Sequence, residues 1–388
     1  MVGSQEDRGD RPASIDPLVR PAWCEIDLGA ITHNLTQLRG LVGPGVAIFV
    51  CLKSDAIGCG ATAMARHCQV AGANGLAFGR IDAAIACREA GVRLPMLLYP
   101  TCLPDQAEVL ERYDLMPTIS TIEDVAAWSG RVQARLKVFL KIDAGGYRAG
   151  AFPDSAPVVA KALATSGKLE LAGVYGHPMA NYGHDAAGYV PDQIAGFIAG
   201  VEAIEASGIP IPIKMVSSSS IILEYPDADL DGIDPGRLVM GVCFPSVPER
   251  EKSWRRAVHA IKSRLVMVKS LDHDGCVPEA PFLVRRPGMR LGLIPMGWSD
   301  GYPARTPSTA EVLIRGRRAP VMPPIHSEIM RIDLTGIPDA VVGDEVVILG
   351  RSGDQRIELE ELCKRWGMAD FEIYMSLVKG LTKVYHDG

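Results

Sequence analysis

Short apolar runs, each closed by a polar or glycine-bearing turn and followed by a stretch of helical spacing, recur from Ile48 to Pro235. The runs predict strands at Ile48–Lys53, Gly75–Gly79, Pro95–Tyr99, Leu115–Ile119, Lys137–Asp143, Leu171–His177, Lys214–Ser218 and, more weakly, Gly232–Pro235. Helical patterns lie between them, among them Arg80–Ala90, Pro104–Arg112, Ala156–Ala164 and Pro191–Ala206. Eight strand–helix repeats in about 200 residues is the count and size of a (β/α)8 barrel of the TIM type. The other α/β arrangement, a doubly wound open sheet, lacks the GxGxxG turn that would support it. Beyond Gly241 helical spacing mostly stops, and runs such as Ser263–Ser270, Arg290–Pro295, Ala310–Ile314, Ala319–Met322, Glu328–Leu334 and Glu345–Leu349 predict an all-β second domain. A helix near Glu358–Arg365 and a strand at Thr382–Tyr385 close it. Trp23–Asp27 alternates like a strand ahead of the first helix. The expected division is a loose leader over 1–20, a barrel over 21–245 and a β domain over 246–388.

Composition narrows the class. Of 388 residues 47% are hydrophobic and 22% charged, as in a globular protein that buries a large core. A net charge of -6 argues against nucleic acid or an acidic membrane surface as partner. The nine cysteines are scattered without a CxxC pair, which fits reduced thiols better than a disulfide framework. The polar first residues do not read as a signal peptide, and no apolar run is long enough for a bilayer span. A cytoplasmic protein is expected. His177 and His184, seven apart without a cysteine or HExxH partner, do not amount to a metal site, and none is expected.

In a barrel the chemistry gathers at the carboxyl ends of the strands. Lys53 ends the first predicted strand. Asp143 ends the fifth and is followed by Gly145, Gly146 and Arg148; His177 ends the sixth; Ser217, Ser218, Ser219 and Ser220 follow the seventh; Asp234-Pro235-Gly236 follows the eighth. Each has a plain alternative: a lysine snorkelling out of a strand, an arginine closing a surface turn, a satisfied core histidine, serines that cap a helix. Together they suggest more. A desolvated lysine forms Schiff bases, and hydroxyls beside a glycine after the last two strands suit a phosphate. That combination points to pyridoxal 5'-phosphate (PLP).

The chain resembles the alanine racemases, PLP enzymes of fold type III, from Trp23 to Tyr385. Leu52-Lys53-Ser54-Asp55-Ala56-Ile57-Gly58-Cys59-Gly60 is similar to the family's PLP-lysine motif, VKADAYGHG, and Lys141–Gly150 to its K-x-D-T-G-M-x-R-x-G segment. Gly297-Trp298-Ser299-Asp300-Gly301-Tyr302-Pro303 resembles GYxDGYP, and Ile325–Asp333 the segment carrying S-M-D. The resemblance implies that Lys53 carries PLP and moves the α-proton, and that Arg148 holds the substrate carboxylate. It puts His177 behind the ring and Ser218, Ser219, Gly236 and Arg237 at the phosphate. Lys141, Asp143, Tyr302, Ser327, Glu328 and Phe371 fall around the substrate, and the homodimer expected of the family shares its sites between subunits.

Several positions depart from the family pattern. The second base, a tyrosine supplied by the partner subunit, is Trp298, whose indole only donates. The phosphate-binding tyrosine is Ile57, the entrance tyrosine Phe371, and Met-Asp is Ser327-Glu328. The arginine facing the pyridine nitrogen is Asp234. A carboxylate there keeps that nitrogen protonated and deepens the electron sink, stabilising a quinonoid carbanion. The expectation is therefore one-face chemistry at Cα of a small amino acid: aldol cleavage, elimination, decarboxylation or Cα–C bond formation. The alternatives are an amino-acid racemase using Tyr302, His326 or Tyr147 as replacement base, and a non-catalytic PLP-binding protein.

Overall fold

The computed structural model describes residues 20–387 apart from 180–185, 243–246, 272–285 and 287; residues 1–19 of the expected leader and His184 lie outside the described residues. The chain divides into two compact units, one running from Leu28 to Ala257 and one joining the residues up to Asp27 to Val258–His386.

Strand β1, Ala22–Asp27, opens the described chain and belongs to the second unit. The first unit holds β2 (Ala47–Cys51), β3 (Gly75–Phe78), β4 (Met96–Leu98), β5 (Leu115–Met116) and β6 (Thr118–Ile119). It continues with β7 (Leu136–Lys141), β8 (Leu169–Tyr175), β9 (Lys214–Ser217) and β10 (Gly232–Ile233). All pair in parallel, in the order β5-β4-β3-β2-β10-β9-β8-β7-β6. The two ends of that ladder are halves of one extended run, Leu115–Ile119, parted at Pro117, which has no N–H to give. Leu115 and Met116 pair with β4, while Thr118 and Ile119 pair with β7, so the broken strand closes an eight-membered barrel. The predicted TIM-like barrel stands, with its fourth strand shared between two partners.

The barrel interior follows from the two-residue period of strands. Phe49, Ala77, Leu97, Met116, Phe139, Tyr175 and Met215, one from each of seven segments, form a single buried layer. Gly75 and Gly173 leave room for the aromatic rings in it: a Cβ on Gly75 would stand 2.3 Å from the Phe49 ring, and one on Gly173 2.5 Å from that of Phe139. Helices follow the strands, Ala61–Val70, Ile81–Glu89, Ala107–Arg112, Ile122–Ser129, Ala156–Thr165 and Ala186–Ala206 among them. The last begins before Pro191 instead of at it, so the proline lies inside the helix.

The second unit is built mainly of strands, as expected, and their pairing is antiparallel in the main. Its strands are β11 (Val258–Arg264), β12 (Met267–Ser270), β13 (Arg290–Ile294), β14 (Glu311–Ile314) and β15 (Arg317–Met322), then β16 (Met330–Asp333), β17 (Glu345–Ser352), β18 (Gln355–Ile357) and β19 (Thr382–His386). Two details correct the sequence reading. The run Ser263–Ser270 is two strands parted at Leu265-Val266. And β1, which the expected boundaries put in the barrel, lies between β11 (antiparallel) and β19 (parallel) in the second unit's sheet. Among the described residues no helix is long and apolar enough to cross a membrane.

Candidate active site

Stepping two residues along each strand from the aromatic layer leads to the next inward positions at the carboxyl end: Cys51 after Phe49, Tyr99 after Leu97, Lys141 after Phe139, His177 after Tyr175, Ser217 after Met215. Lys53 stands one further step beyond Cys51. Lys53, His177 and Ser217, which the sequence reads as strand-end chemistry, thus share one floor with Cys51, Tyr99 and Lys141.

The backbone after β2 is unusual. Ser54, Asp55, Ala56 and Ile57 have φ of 57°, 60°, 53° and 56°, a turn of left-handed helix built without glycine. Such a conformation costs roughly 1–2 kcal/mol per residue, and its persistence at a site is one way a structure stores strain. Local bonds hold it: the Ala56 N–H donates to the Leu52 carbonyl (3.0 Å), Gly60 N–H to the Asp55 carbonyl (2.9 Å), and Ala61 N–H to Asp55 Oδ1 (2.7 Å). Lys53 is the residue this turn starts from.

Asp143 organises the next loop. Its carboxylate accepts the backbone N–H groups of Gly145, Gly146, Tyr147 and Arg148, at 3.2, 2.6, 3.0 and 2.6 Å. A carboxylate so occupied is a brace, and what it braces is Arg148, which lines one pocket with Lys141, Asp143 and His177. The cation cluster shows in its electrostatics. Burial, then Arg148, pulls Lys141 down to about 8. Burial, then Lys53, Lys141 and Arg148, pushes His177 down to about 3, so its imidazole is neutral at any ordinary pH. Asp234 is opposed: burial raises its carboxyl to about 6 against the pull of a Tyr99 hydrogen bond and of Lys53, Lys141 and Arg148. Tyr99 Oη donates to Asp234 Oδ2 at 2.9 Å.

On the phosphate side, the hydroxyls of Ser218 and Ser220 are buried without a partner among the described residues. Ser219 Oγ accepts the N–H groups of Gly236 and Leu238 at 3.1 and 3.2 Å and has its own proton to give. A Cβ on Gly236 would stand 3.2 Å from Cys51 Cβ, so the backbone approaches closely there. Orphaned hydroxyls around a bare glycine fit a phosphate, and the lysine, neutral histidine and buried carboxyl fit a pyridine ring. Arg237 is half-buried beside them. Among the described residues no cluster of histidine, cysteine, aspartate and glutamate could hold a metal ion.

The remaining predicted residues lie in the second unit. Trp298 is 53% exposed at the start of a short turn, Trp298–Asp300, whose backbone bonds to His326 and Ser327 carbonyls (3.1 and 2.9 Å). Ser327 and Glu328 are exposed next to it, and Glu328 lies 3.8 Å from Arg20. Tyr302 is buried against the Trp366 ring, centroids 5.2 Å apart. Burial raises its phenol well above the usual range, a poor setting for a base. Phe371 sits in the short helix Asp370–Ile373.

Sequence reading missed Tyr99 and Cys51 as members of this floor. The signal was there: each lies two residues beyond an inward-facing apolar residue near the carboxyl end of its barrel strand.

Two family models match the chain, "Alanine racemase, N-terminal domain" over residues 26–243 and "Alanine racemase, C-terminal domain" over 258–385. Proteins named alanine racemase from Desulfovibrio desulfuricans and Halothermothrix orenii are 31% and 30% identical, over 94% and 95% of this chain and 98% and 97% of those proteins. Alanine racemase of Clostridium difficile 630 superposes with a TM-score of 0.83 at 23% identity, covering 95% of this chain and 96% of that one. That of Bacillus anthracis, solved with bound L-Ala-P, gives 0.82 at 23%, covering 96% of both chains.

Proposed function

The chain belongs to the alanine racemase family of PLP enzymes, and from that premise we propose that it moves the α-proton of a small amino acid from one face, with Lys53 as the acting base. The observation that carries this reading is Asp234: a carboxyl with one oxygen held by Tyr99, on the floor shared by Lys53, Lys141 and His177. When bound, the cofactor draws electrons from Cα, the more strongly the more its ring nitrogen is protonated. Lys53 Nζ would hold the cofactor and take and return the α-proton. Arg148, fixed by Asp143, would pair with the substrate carboxylate. Ser218, Ser219, Gly236 and Arg237 would take the phosphate. His177, neutral, would pack behind the ring without competing for charge. Trp298 in the position of the family's second base offers only an N–H, so the opposite face has no base from that residue. A homodimer completing its sites across subunits is part of the proposal.

A second reading, amino-acid racemisation, is favoured by the names of the relatives. It needs a replacement base. Tyr302 is buried against Trp366, whereas His326 is exposed and its carbonyl bonds the Trp298 N–H, so His326 is the better candidate. The complete second unit counts against a protein that only stores PLP.

The test is α-proton exchange by the PLP-loaded protein in D2O, with L- and D-alanine and L- and D-serine followed by NMR and chiral chromatography. Deuterium in one enantiomer with configuration kept supports one-face chemistry. Scrambled configuration supports the racemase, and no exchange with any of the four sinks both. Lys53→Ala should abolish the visible absorption of lysine-bound cofactor; an unchanged band would remove Lys53 from its role.

A further inference from the structure

We propose that Tyr99 is a positioning residue, whose hydroxyl fixes the charge and orientation of Asp234 and through it the protonation of the cofactor's ring nitrogen. The inference rests on the proposed use of Asp234 and assigns a role that neither the motifs nor the family resemblance supplies.

The bond is a long-range one. Tyr99 directly follows β4 and Asp234 directly follows β10, three steps apart along the barrel ladder, and their side chains meet at 2.9 Å. Tyr99 is itself braced: its ring is tilted against that of Tyr175, centroids 6.1 Å apart, and Lys53 Nζ lies 6.0 Å from its centroid. Tyr175 is in turn tied through its hydroxyl to Thr118 at 2.8 Å. The Cys51 thiol is a second neighbour of the hydroxyl, and the hydroxyl's geometry directs its proton to Asp234. Asp234 Oδ2 takes that proton, while Oδ1 has no hydrogen-bond partner among the described residues. One oxygen is anchored, and the other is left to accept from a ligand's N–H.

The charge state follows from the same pairing. The groups facing Asp234 are Lys53 and Cys51 from β2 and its turn, Tyr99 after β4, Lys141 on β7, Arg148 on its loop and Tyr175 on β8. Burial favours the neutral acid, and of the opposing influences the Tyr99 bond is the largest. A hydrogen bond donated to a carboxylate stabilises its charged form. Without that donor the pair formed by carboxylate and pyridinium shifts toward neutral acid and neutral pyridine, and the electron sink shallows.

The experiment follows the 15N resonance of ring-labelled PLP in the holoenzyme, with Asp234→Asn as the reference for an unsupported nitrogen. Tyr99→Phe should move the resonance from the pyridinium position toward that reference. Replacing Tyr99 with a fluorotyrosine, a stronger donor of the same shape, should hold it at the pyridinium position and lower the pH at which the Asp234 carboxyl titrates in the apo protein. In the apo protein, the infrared carboxyl band assigned with Asp234→Asn should titrate about one pH unit higher in Tyr99→Phe, a tenfold change in proton affinity. A pyridinium signal in the parent that Tyr99→Phe does not move overturns the role of Tyr99 and leaves that of Asp234 standing. A parent resonance already at the neutral position, unmoved by Asp234→Asn, overturns both. Should Tyr99→Phe fail to fold, the apo carboxyl titration of the fluorotyrosine protein decides alone: a titration below the parent's supports the coupling and an unchanged one overturns it.

Discussion

His177 and Asp234 share the barrel mouth and pull stability in opposite directions with pH. In the unfolded chain His177 protonates near its ordinary 6.5, and in the fold only near 3. Acid below 6.5 therefore loads protons on the unfolded state, and the fold loses stability from 6.5 down to about 3. Asp234 protonates at about 6 in the fold against 3.8 when free, so it gains stability for the fold as the pH drops from 6 to 3.8. Between those limits the two partly cancel. His177→Gln removes the losing partner. In urea unfolding of the apo protein at pH 7 and pH 5, the drop between the two pH values should shrink by about 1 kcal/mol, discounted for the histidine's partial exposure. In Asp234→Asn the drop should grow. Equal drops in parent and variants would show that neither group is held out of its usual protonation state.

Among the elements, the left-handed turn after Lys53 is where sequence and conformation disagree most. Four non-glycine residues sit at φ near 55° between a strand and a helix. Relieving one of them tests whether the strain is real. Ser54→Gly should gain about 0.5–1 kcal/mol in apo stability, since glycine adopts this conformation freely. Asp55→Ala should lose about 1–2 kcal/mol, because the Ala61 N–H loses its partner. Urea unfolding of both variants checks the pair, and a gain from Asp55→Ala would refute the account. Nothing in Ser54-Asp55-Ala56-Ile57 announces this turn; only the flanking Gly58 and Gly60, at φ of 85° and 92°, marked it as a turn at all. The barrel strands were legible because buried parallel strands are short, apolar and regularly spaced. Lys141 came only with the family resemblance, whereas Lys53, His177 and the serines were legible because such residues at apolar strand ends stand out. Tyr99 did not, since a half-apolar aromatic at a strand end looks like core, and only its bond to Asp234 sets it apart. The helical spacing starts at Pro191, a residue at home in a first turn, yet the helix begins five residues earlier.

At the scale of the molecule, β1 shows what alternation along a chain leaves open. Trp23, Cys24 and Ile26 are buried, which any half-buried strand would give, and the pattern does not say which sheet receives them. Its place just before the first barrel helix puts β1 within the expected barrel boundaries, 21–245. Its partners are β11 and β19, across more than 230 and 350 residues of chain. The second unit is thus assembled from both ends of the described chain, and β19 reaches its sheet only through β1. Trp23 is the anchor: 1% exposed, its indole N–H on Glu25 at 3.0 Å and Arg264 5.6 Å from the centre of its ring. Trp23→Ala should cost about 3–5 kcal/mol through the cavity it leaves. The place where that loss is felt is the sharper test. Amide hydrogen exchange should rise in Val258–Arg264 and Thr382–His386 and stay at parental levels in Leu136–Lys141, which lies in the other unit. Faster exchange in Leu136–Lys141 with Thr382–His386 unchanged would return β1 to the barrel and undo the division of the chain described above.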